Sequence, residues 1–275
     1  MSGSAGALDA ERLDRLLRDL PFVQRFVLLQ RTSSTNEVAR QLAADGADAG
    51  TVVIAEEQTA GRGRRGNAWY SPAGLGLYLS AVLRPGASAA KVTRWTLGSA
   101  VAACEACREL SCAEVGIRWP NDLLAGGRKV GGVLAELRTV GGRPKDLVIG
   151  LGLNVGHERS DFPDELCSSA TSLRLAGGLP IPDRESLAVL FLRALGSVSR
   201  ELESDSWSAV ARRWLALAPG AVGQRVDVVP HSGRSGYTGT TRGLDELGAL
   251  QVQRDDGRIV SVRSVESVRP SSGED

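Results

Sequence analysis

A short loop at residues 61–66 places three arginines among three glycines and reads Gly-Arg-Gly-Arg-Arg-Gly. Glycine tolerates positive φ, so the backbone of such a loop can turn its amide N–H groups toward a ligand. Arginine supplies fixed positive charge and forked donors that match carboxylates and phosphates. The loop is therefore predicted to bind an anion. A disordered nucleic-acid-binding segment is disfavoured, because the loop lies between two strand-like stretches rather than in a low-complexity tail.

One lysine, Lys129, enters an apolar, glycine-containing stretch that is typical of a strand. A charged ammonium in such surroundings is costly unless it meets an anion. Gly131 and Gly132 would also let a ligand approach the backbone closely. The alternative is an exposed lysine on an edge strand, just after a hairpin turn at residues 126–127. The residues alone favour neither interpretation.

Three further segments carry polar groups or glycines that suit a ligand site but are also ordinary structural chemistry. Ser34, Thr35 and Asn36 stand at a helix start, where N-capping is the favoured explanation. The segment 118–122, Arg-Trp-Pro-Asn-Asp, fits a β-turn at a strand end equally well. The segment 150–154, Gly-Leu-Gly-Leu-Asn, leaves room beside a strand. It is not a dinucleotide fingerprint, because the third glycine is missing and no helix is predicted to follow.

The spacing of apolar residues predicts the elements that must hold these segments. Helical periodicity covers residues 9–20, 32–44, 91–110 and 186–218, the last as one or two helices. Strand-like runs cover residues 22–29, 51–56, 75–83, 115–119, 128–137 and 147–155. Beyond residue 219, short strands alternate with glycine turns, which predicts a small β-barrel. Those strands are expected at residues 225–230, 237–241, 249–254 and 258–262.

Composition narrows the class of protein. The 275 residues include 24% charged side chains but carry a net charge of only +1, so no overall field favours DNA or a membrane. No run approaches the roughly 20 apolar residues of a spanning helix, and the N-terminus lacks the apolar core of a signal peptide. Cys104, Cys107 and Cys112 have spacings that suggest a zinc site. The first two fall in a predicted helix and no matched pair follows, so buried thiols in a cytoplasmic protein are favoured over a metal site.

Taken together and in this order, the segments resemble one family, the biotin–protein ligases. The loop 61–66, with Trp69, Ser71 and Pro72 after it, resembles the family's biotin loop. The other resemblances are to its Lys-Trp-Pro-Asn-Asp segment, its catalytic-lysine strand and its Gly-x-Gly-x-Asn strand, at residues 118–122, 128–132 and 150–154. The resemblance spans residues 31–171.

The resemblance implies an α+β fold. A mixed, largely antiparallel sheet backed by helices, of the class II synthetase-like type, would be followed by a small SH3-like β-barrel. The expected division is a short N-terminal extension, a catalytic biotin- and ATP-binding domain, the barrel and a disordered tail, at residues 1–30, 31–218, 219–270 and 271–275.

The resemblance also implies a two-step reaction. Biotin and MgATP would give biotinyl-5′-AMP and pyrophosphate, and a lysine of a biotin carboxyl carrier domain of an acyl-CoA or pyruvate carboxylase would then take the biotinyl group. Lys129 and Arg64 are the expected catalytic residues. The expected biotin-binding residues are Ser34, Thr35, Asn36, Gln58, Gly61, Arg62, Gly63, Arg64, Trp69, Lys129, Gly132 and Gly152. The expected ATP- and adenylate-binding residues are Arg62, Arg64, Arg65, Trp69, Arg118, Asn121, Asp122, Lys129 and Asn154, with Asp122 and Asn154 as candidate Mg²⁺ ligands.

Two features depart from the family pattern. Arg118 stands where the family commonly has lysine, and its longer forked group changes any point contact to a phosphate. Only about 30 residues precede Ser34, too few for a winged helix-turn-helix, so a monofunctional ligase without nucleic-acid binding is expected.

Two alternatives stay open beside the biotin ligase. A lipoate– or octanoate–protein ligase would share the fold, and the loop 61–66 argues against it. A non-catalytic biotin- or nucleotide-binding regulator is disfavoured by Lys129, because a lysine among glycines points to a bound anion.

A cytoplasmic location is expected, without a membrane partner. The oligomeric state is left open between a monomer and a weak dimer.

Overall fold

A seven-stranded sheet is the centre of the computed structural model, which describes residues 6–86, 89–111, 113–177, 180–229, 236–263 and 267–271. Its strands are β1 (Arg25–Leu29), β2 (Thr51–Ala55), β3 (Gly76–Leu83), β4 (Val115–Arg118), β5 (Asp122–Ala125), β6 (Arg128–Val140) and β7 (Arg143–Asn154). They lie in the order β1-β2-β3-β7-β6-β5-β4. Only β1 and β2 pair in parallel among these described strands. The expected mixed, largely antiparallel sheet is therefore confirmed.

Helices cover both faces of this sheet. They are α1 (Ala10–Leu17), α2 (Thr35–Ala44), α3 (Val92–Leu110), α4 (Leu173–Gly177), α5 (Arg184–Glu203) and α6 (Trp207–Leu217). Under α2 lies a small apolar cluster that includes Ala39, Val53 and Val82, and α3 and α5 pack on the large core of the opposite face. Because both faces are covered, β2 and β3 are buried along their whole length.

The structure differs from the predicted elements in its loops and strand ends. β5 begins at Asp122, where the sequence suggested only a turn, and α4 was not predicted. β6 and β7 form one long hairpin through Gly141 and Gly142, which have φ of +58° and +76°. The sequence predicts two shorter strands there, because the outer ends of the hairpin are exposed and carry no apolar alternation.

A second, five-stranded antiparallel sheet follows α6. It contains β8 (Val222–Val229), β9 (Tyr237–Leu244), β10 (Leu250–Arg254), β11 (Ile259–Val262) and β12 (Ser267–Pro270), in the order β11-β10-β9-β8-β12. The sequence predicts the first four strands and misses β12. Ser271 N donates to Arg225 O at 3.0 Å, so regular contacts continue past β12, and the rest of the tail expected to be disordered lies outside the described residues. Trp119 Nε1 donates to Gly248 O at 3.2 Å and joins the two sheets.

The N-terminal helix is fastened to the core by a buried ion pair. α1 is amphipathic, and Asp9 caps it by accepting from the backbone N–H groups of its first turn. Just before it, Leu8 N donates to Glu56 Oε2 at 3.0 Å. Glu56 in turn pairs with Arg184 at 2.9 Å, and both side chains are almost fully buried. The segment before α1 therefore depends on a charge pair inside the protein.

Two of the cysteines are buried thiols in α3, as the sequence predicts. Burial raises the pKa of Cys104 to about 11, and it raises the pKa of Cys107 further. Cys112 lies outside the described residues. Within the described part of the chain, no group of His, Cys, Asp and Glu is placed to hold a metal ion.

No helix in the described part of the chain is both long enough and apolar enough to cross a membrane.

Candidate active site

Segments that are distant in sequence surround one cavity of about 550 Å³. The start of α2, the loop after β2 and parts of β5, β6 and β7 form its walls, and β12 of the second sheet adds one side. Most predicted site residues line it: Ser34, Thr35, Asn36, Gln58, Arg62, Gly63, Arg64, Arg65, Trp69, Arg118, Asn121, Asp122, Lys129, Gly132 and Gly152.

Lys129 is held at the cavity wall by a carboxylate. Its Nζ lies 2.5 Å from Asp122 Oδ1, and Arg118 Nη2 lies 2.7 Å from Asp122 Oδ2. Burial acts to raise the pKa of Asp122, but the Lys129 ammonium and the Arg118 guanidinium outweigh it, so the pKa lies below its usual value. Asp122 is thus ionised, and of the two interpretations of Lys129 the structure supports the one in which the ammonium meets an anion.

The β5–β6 hairpin explains why these two groups meet. β5 starts at Asp122 and β6 starts next to Lys129, with Gly126 and Gly127 in the turn at positive φ. A register shift between Leu123 and Leu124 lets both charged side chains reach the same wall.

The arginine loop folds back on itself through its own backbone. Trp69 N donates to Gly61 O at 2.8 Å, and Gly63 N donates to Asn67 O at 2.8 Å. Arg65 adopts φ of +60°, a left-handed conformation that is uncommon for a residue with a side chain. The loop is therefore a closed turn whose arginines project from a tight backbone.

Arg64 connects this loop to the segment 118–122. Its Nη1 donates to Asn121 Oδ1 at 3.0 Å, and Asn121 Nδ2 donates to Val133 O at 2.9 Å. Burial, and then the neighbouring Arg65 charge, lowers the pKa of Arg64. Arg64 remains a cation, since even a lowered arginine pKa stays far above neutrality. The arginine loop and the segment 118–122 thus meet at one point of the cavity.

A polar network lines the side of the cavity next to α2. Gln58 Oε1 accepts from Thr35 N at 2.9 Å and lies 3.1 Å from Thr35 Oγ1. Gln58 Nε2 donates to Ser71 Oγ at 2.9 Å. Ser34 occupies the N-cap position of α2, but its side chain makes no capping hydrogen bond and lines the cavity instead. These side chains provide hydrogen-bonding groups at the cavity wall.

Trp69 forms an apolar wall that depends on a glycine. Its half-buried ring lies against Gly152 of β7, and a Cβ at that position would lie 2.6 Å from Trp69 Cε2. The Lys129 ammonium stands 5.5 Å from the centre of the ring. The glycine at residue 152 therefore leaves space for the indole ring, and the position of that ring determines the shape of the cavity.

A second cavity of about 380 Å³ lies on the other side of this wall. The two cavities share Ala68, Trp69, Arg118, Asp122 and Lys129. The rest of the second lining includes Asn154 and residues that follow β7. The cluster of Lys129, Arg118 and Asp122 thus borders both cavities.

Two predicted residues do not line the first cavity. Gly61 lies behind its wall, where a Cβ would lie 2.7 Å from Ser71 Oγ and 3.1 Å from Gln58 Nε2. Asn154 lines the second cavity, and its Nδ2 donates to Thr171 O at 2.9 Å.

The sequence analysis also missed some lining residues. Leu134 could have been found from the two-residue period of β6, because it follows Gly132 on the same face. Arg269 of β12 also lines the first cavity, but no local signal marks it, since its position depends on the second sheet.

Comparison with known proteins agrees with this geometry. Residues 28–154 match the family described as Biotin/lipoate A/B protein ligase. A biotin--[acetyl-CoA-carboxylase] ligase of Mycobacterium tuberculosis is 35% identical over 229 residues, which cover 81% of this chain and 81% of that protein. The bifunctional ligase/repressor BirA of Bacillus subtilis is 35% identical over 225 residues, covering 82% and 68% respectively.

A solved structure of another protein has the same fold. The biotin protein ligase from Aquifex aeolicus, in complex with biotin and ATP, matches with a TM-score of 0.78 and 27% identity. The match covers 90% of this chain and 100% of that one. The family resemblance that the motifs indicate is thereby confirmed, and the chain belongs to the biotin/lipoate A/B protein ligase family and is a ligase enzyme.

Proposed function

We propose that this protein is a biotin–protein ligase that activates biotin with MgATP and transfers it to a lysine of a carrier domain. The observation that carries the proposal is the wall shared by the two cavities, where Lys129, Arg118 and Asp122 meet. A reaction that joins two anionic substrates needs positive charge at the point where they meet. The relatives named for biotin ligation, and the neighbour solved with biotin and ATP, support the same assignment.

The first cavity suits biotin. Thr35 and Gln58 offer hydroxyl and amide groups that match the donors and acceptors of a ureido ring. Trp69, Leu134 and Leu151 supply apolar surface for the thiophene ring and the valeryl chain. The carboxylate end of the chain would then point toward Lys129.

The second cavity suits the nucleotide. Its lining includes Lys129, Asn154 and Phe162, so it offers a cation, an amide and an aromatic side chain. A triphosphate and a base bind to groups of these kinds. The α-phosphate would therefore reach the shared wall from the side opposite biotin.

In the first step, a biotin carboxylate oxygen attacks the α-phosphorus, and the bond from that phosphorus to the β-phosphate oxygen breaks. Lys129 offsets the repulsion between carboxylate and phosphate, and Asp122 holds its ammonium at the wall before the substrates arrive. Arg64 adds charge from the arginine loop, and the hydrogen bond to Asn121 holds its guanidinium next to the segment 118–122. Closure of that loop over the mixed anhydride would exclude water.

Mg²⁺ would arrive with ATP, and the donor set fits that role. Asp122 and Asn154 line the second cavity together, and they offer one carboxylate and one amide oxygen. Mg²⁺ in nucleotide sites keeps phosphate oxygens and waters as its other ligands, so few protein oxygens are needed. When bound, the ion supplies positive charge beside the phosphates.

In the second step, the ε-amine of a carrier-domain lysine attacks the acyl carbon, and AMP leaves. A relative named as a biotin--[acetyl-CoA-carboxylase] ligase supports a carboxylase carrier as the acceptor. The amine must lose a proton to attack, and the leaving phosphate oxygen is held by the same cations that served the first step.

Exchange of labelled pyrophosphate into ATP tests the proposal without a carrier protein. We expect exchange with biotin and none with octanoate or lipoate, because the Thr35–Gln58 network is built for a ureido ring. Exchange with octanoate or lipoate alone would assign the protein to the other acids of the family. Folded protein that exchanges with none of the three would be a binding protein rather than a biotin ligase.

A Gly152→Ala variant tests the role of Trp69. The new methyl group collides with the indole, which must turn into the cavity. Overpacking of about 1–3 kcal/mol predicts a KM for biotin that is roughly ten- to hundredfold higher in the exchange assay. Gly86→Ala is the control, because a methyl group there meets open space, and it should leave KM unchanged. Equal KM values for Gly152→Ala and wild type would show that Trp69 does not shape the biotin site.

A further inference from the structure

The cavity wall next to α2 contains groups whose hydrogen-bonding direction is not fixed by their own chemistry. An asparagine amide can rotate by half a turn, and a hydroxyl group can donate or accept. Asn36, Thr35 and Ser80 meet there, and all three are buried. A ligand that carries ring N–H groups needs acceptors at this wall, so a further group must set the direction of the network.

Glu136 on β6 supplies that direction from behind the wall. Asn36 Nδ2 donates to Glu136 Oε2 at 2.8 Å. An ionised carboxylate can only accept hydrogen bonds, so the Asn36 nitrogen must face Glu136 and its oxygen must face the interior. Gly150 of β7 makes this placement possible, because a Cβ there would collide with Asn36 Oδ1.

The Ser80 hydroxyl links Asn36 to Thr35, so the orientation of the Asn36 amide determines which way the hydroxyl groups donate. Its Oγ lies 2.6 Å from Asn36 Oδ1 and 2.8 Å from Thr35 Oγ1. Ser80 has one hydroxyl hydrogen, and Asn36 Oδ1, which can only accept, takes it at the shorter distance. The hydrogen of the 2.8 Å contact must then come from the Thr35 hydroxyl, and Gln58 Oε1 accepts from Thr35 N at 2.9 Å. The remaining lone pairs of Thr35 are then available to a ligand N–H.

Reversal of the Asn36 amide would undo this arrangement. Its nitrogen would then donate to Ser80 Oγ, and the Ser80 hydrogen would turn to Thr35 and occupy the acceptor that the ligand needs. The carboxylate of Glu136 is the group that forbids the reversal, since an amide oxygen facing it would meet an acceptor.

We propose that Glu136 is a positioning residue that fixes the acceptor offered to the ring N–H groups of the substrate, acting through Asn36 and Ser80. The inference rests on the proposed function, in which the substrate is biotin. Arg40 lies on the outer side of Glu136, with Nη1 3.7 Å from Oε1, and its half-exposed side chain takes no part in the network.

The test compares biotin binding by calorimetry in wild type and Glu136→Gln. Glutamine keeps the size of the side chain but can donate to Asn36 as well as accept, so the direction is lost. We expect a biotin Kd that is roughly tenfold higher, with kcat and the KM for ATP within about twofold of wild type. Glu105→Gln is the matched control, because it removes the same charge from a distant pair with Arg213 and should not change biotin binding.

An Asn36→Ala background separates positioning from general packing. If Glu136 acts through Asn36, then Glu136→Gln should change the biotin Kd no further in that background. Independent, additive losses would overturn the inference, and so would an unchanged Kd in the single variant or an equal loss of biotin and ATP affinity with a lower unfolding midpoint. Failure of the wild-type protein to bind biotin would instead overturn the proposed function on which the inference rests.

Discussion

Lys129→Met is expected to lower the rate of biotin-dependent pyrophosphate exchange by roughly 10²- to 10³-fold. Methionine keeps an apolar stem of similar length but removes the ammonium that lies 2.5 Å from Asp122. On the proposed function, the attack of the biotin carboxylate on the α-phosphate then loses its main electrostatic support at the shared wall. The measurement is kcat for exchange at saturating biotin and MgATP, with circular dichroism to show that the fold is intact.

Lys145→Met is the matched control for this variant. Lys145 is exposed on β7, and its loss removes the same charge away from both cavities, so the wild-type rate is expected. Lys129→Met protein that keeps more than about a tenth of the wild-type rate would show that another group supplies the charge.

Arg184→Met is expected to lower the free energy of unfolding by about 3–5 kcal/mol. Arg184 pairs with Glu56 at 2.9 Å, and the side chains are only 2% and 8% exposed. The guanidinium also donates to Gly76 O at 3.1 Å and to Gly6 O at 2.7 Å. Its loss leaves the Glu56 charge in the interior with one backbone N–H, from Leu8, as a partner. Urea unfolding at neutral pH measures the difference.

Arg12→Met provides the comparison for Arg184→Met, because Arg12 of α1 pairs with residues at the start of α5. Arg12 is 42% exposed and pairs with Asp183 at 2.7 Å and with Glu185 at 3.2 Å, and the exposed pair with Asp183 contributes at most about 1 kcal/mol. Adding Glu56→Gln to Arg184→Met should recover part of the loss, because no buried charge is then unpaired. Arg184→Met protein as stable as the wild type would mean that this ion pair does not hold the N-terminal segment.

The central strands could be predicted from the sequence because of where they lie. β2 and β3 have helices on both faces, so they appear as continuous apolar runs. β5 could not be predicted in this way. It has four residues, and its identity as a strand comes from pairing with β4 and β6 rather than from its own pattern. The same holds for β12, which pairs with β8.

The site could be predicted as a set of residues but not as a set of contacts. Asp122 and Lys129 belong to separate motifs, and the ion pair between them depends on the register of the β5–β6 hairpin. Local spacing favoured Ser34 as an N-cap, whereas the fold turns its side chain to the cavity. Glu136 lies at the end of the stretch that Lys129 enters, but the sequence predicts no role for it, since its hydrogen bond to Asn36 joins residues that only the folded sheet brings together.

The wall shared by the two cavities restricts how this enzyme could acquire a new acid substrate. Substitutions at Trp69, Asp122 or Lys129 that suit another acid would also alter the second cavity, which we propose for the nucleotide. Selection for a new acid substrate therefore cannot act on these positions without also affecting the second cavity. Of the two cavities, Ser34 and Gln58 line only the first. On the proposed function, such positions are where acid specificity can diverge within the family while adenylate chemistry stays the same.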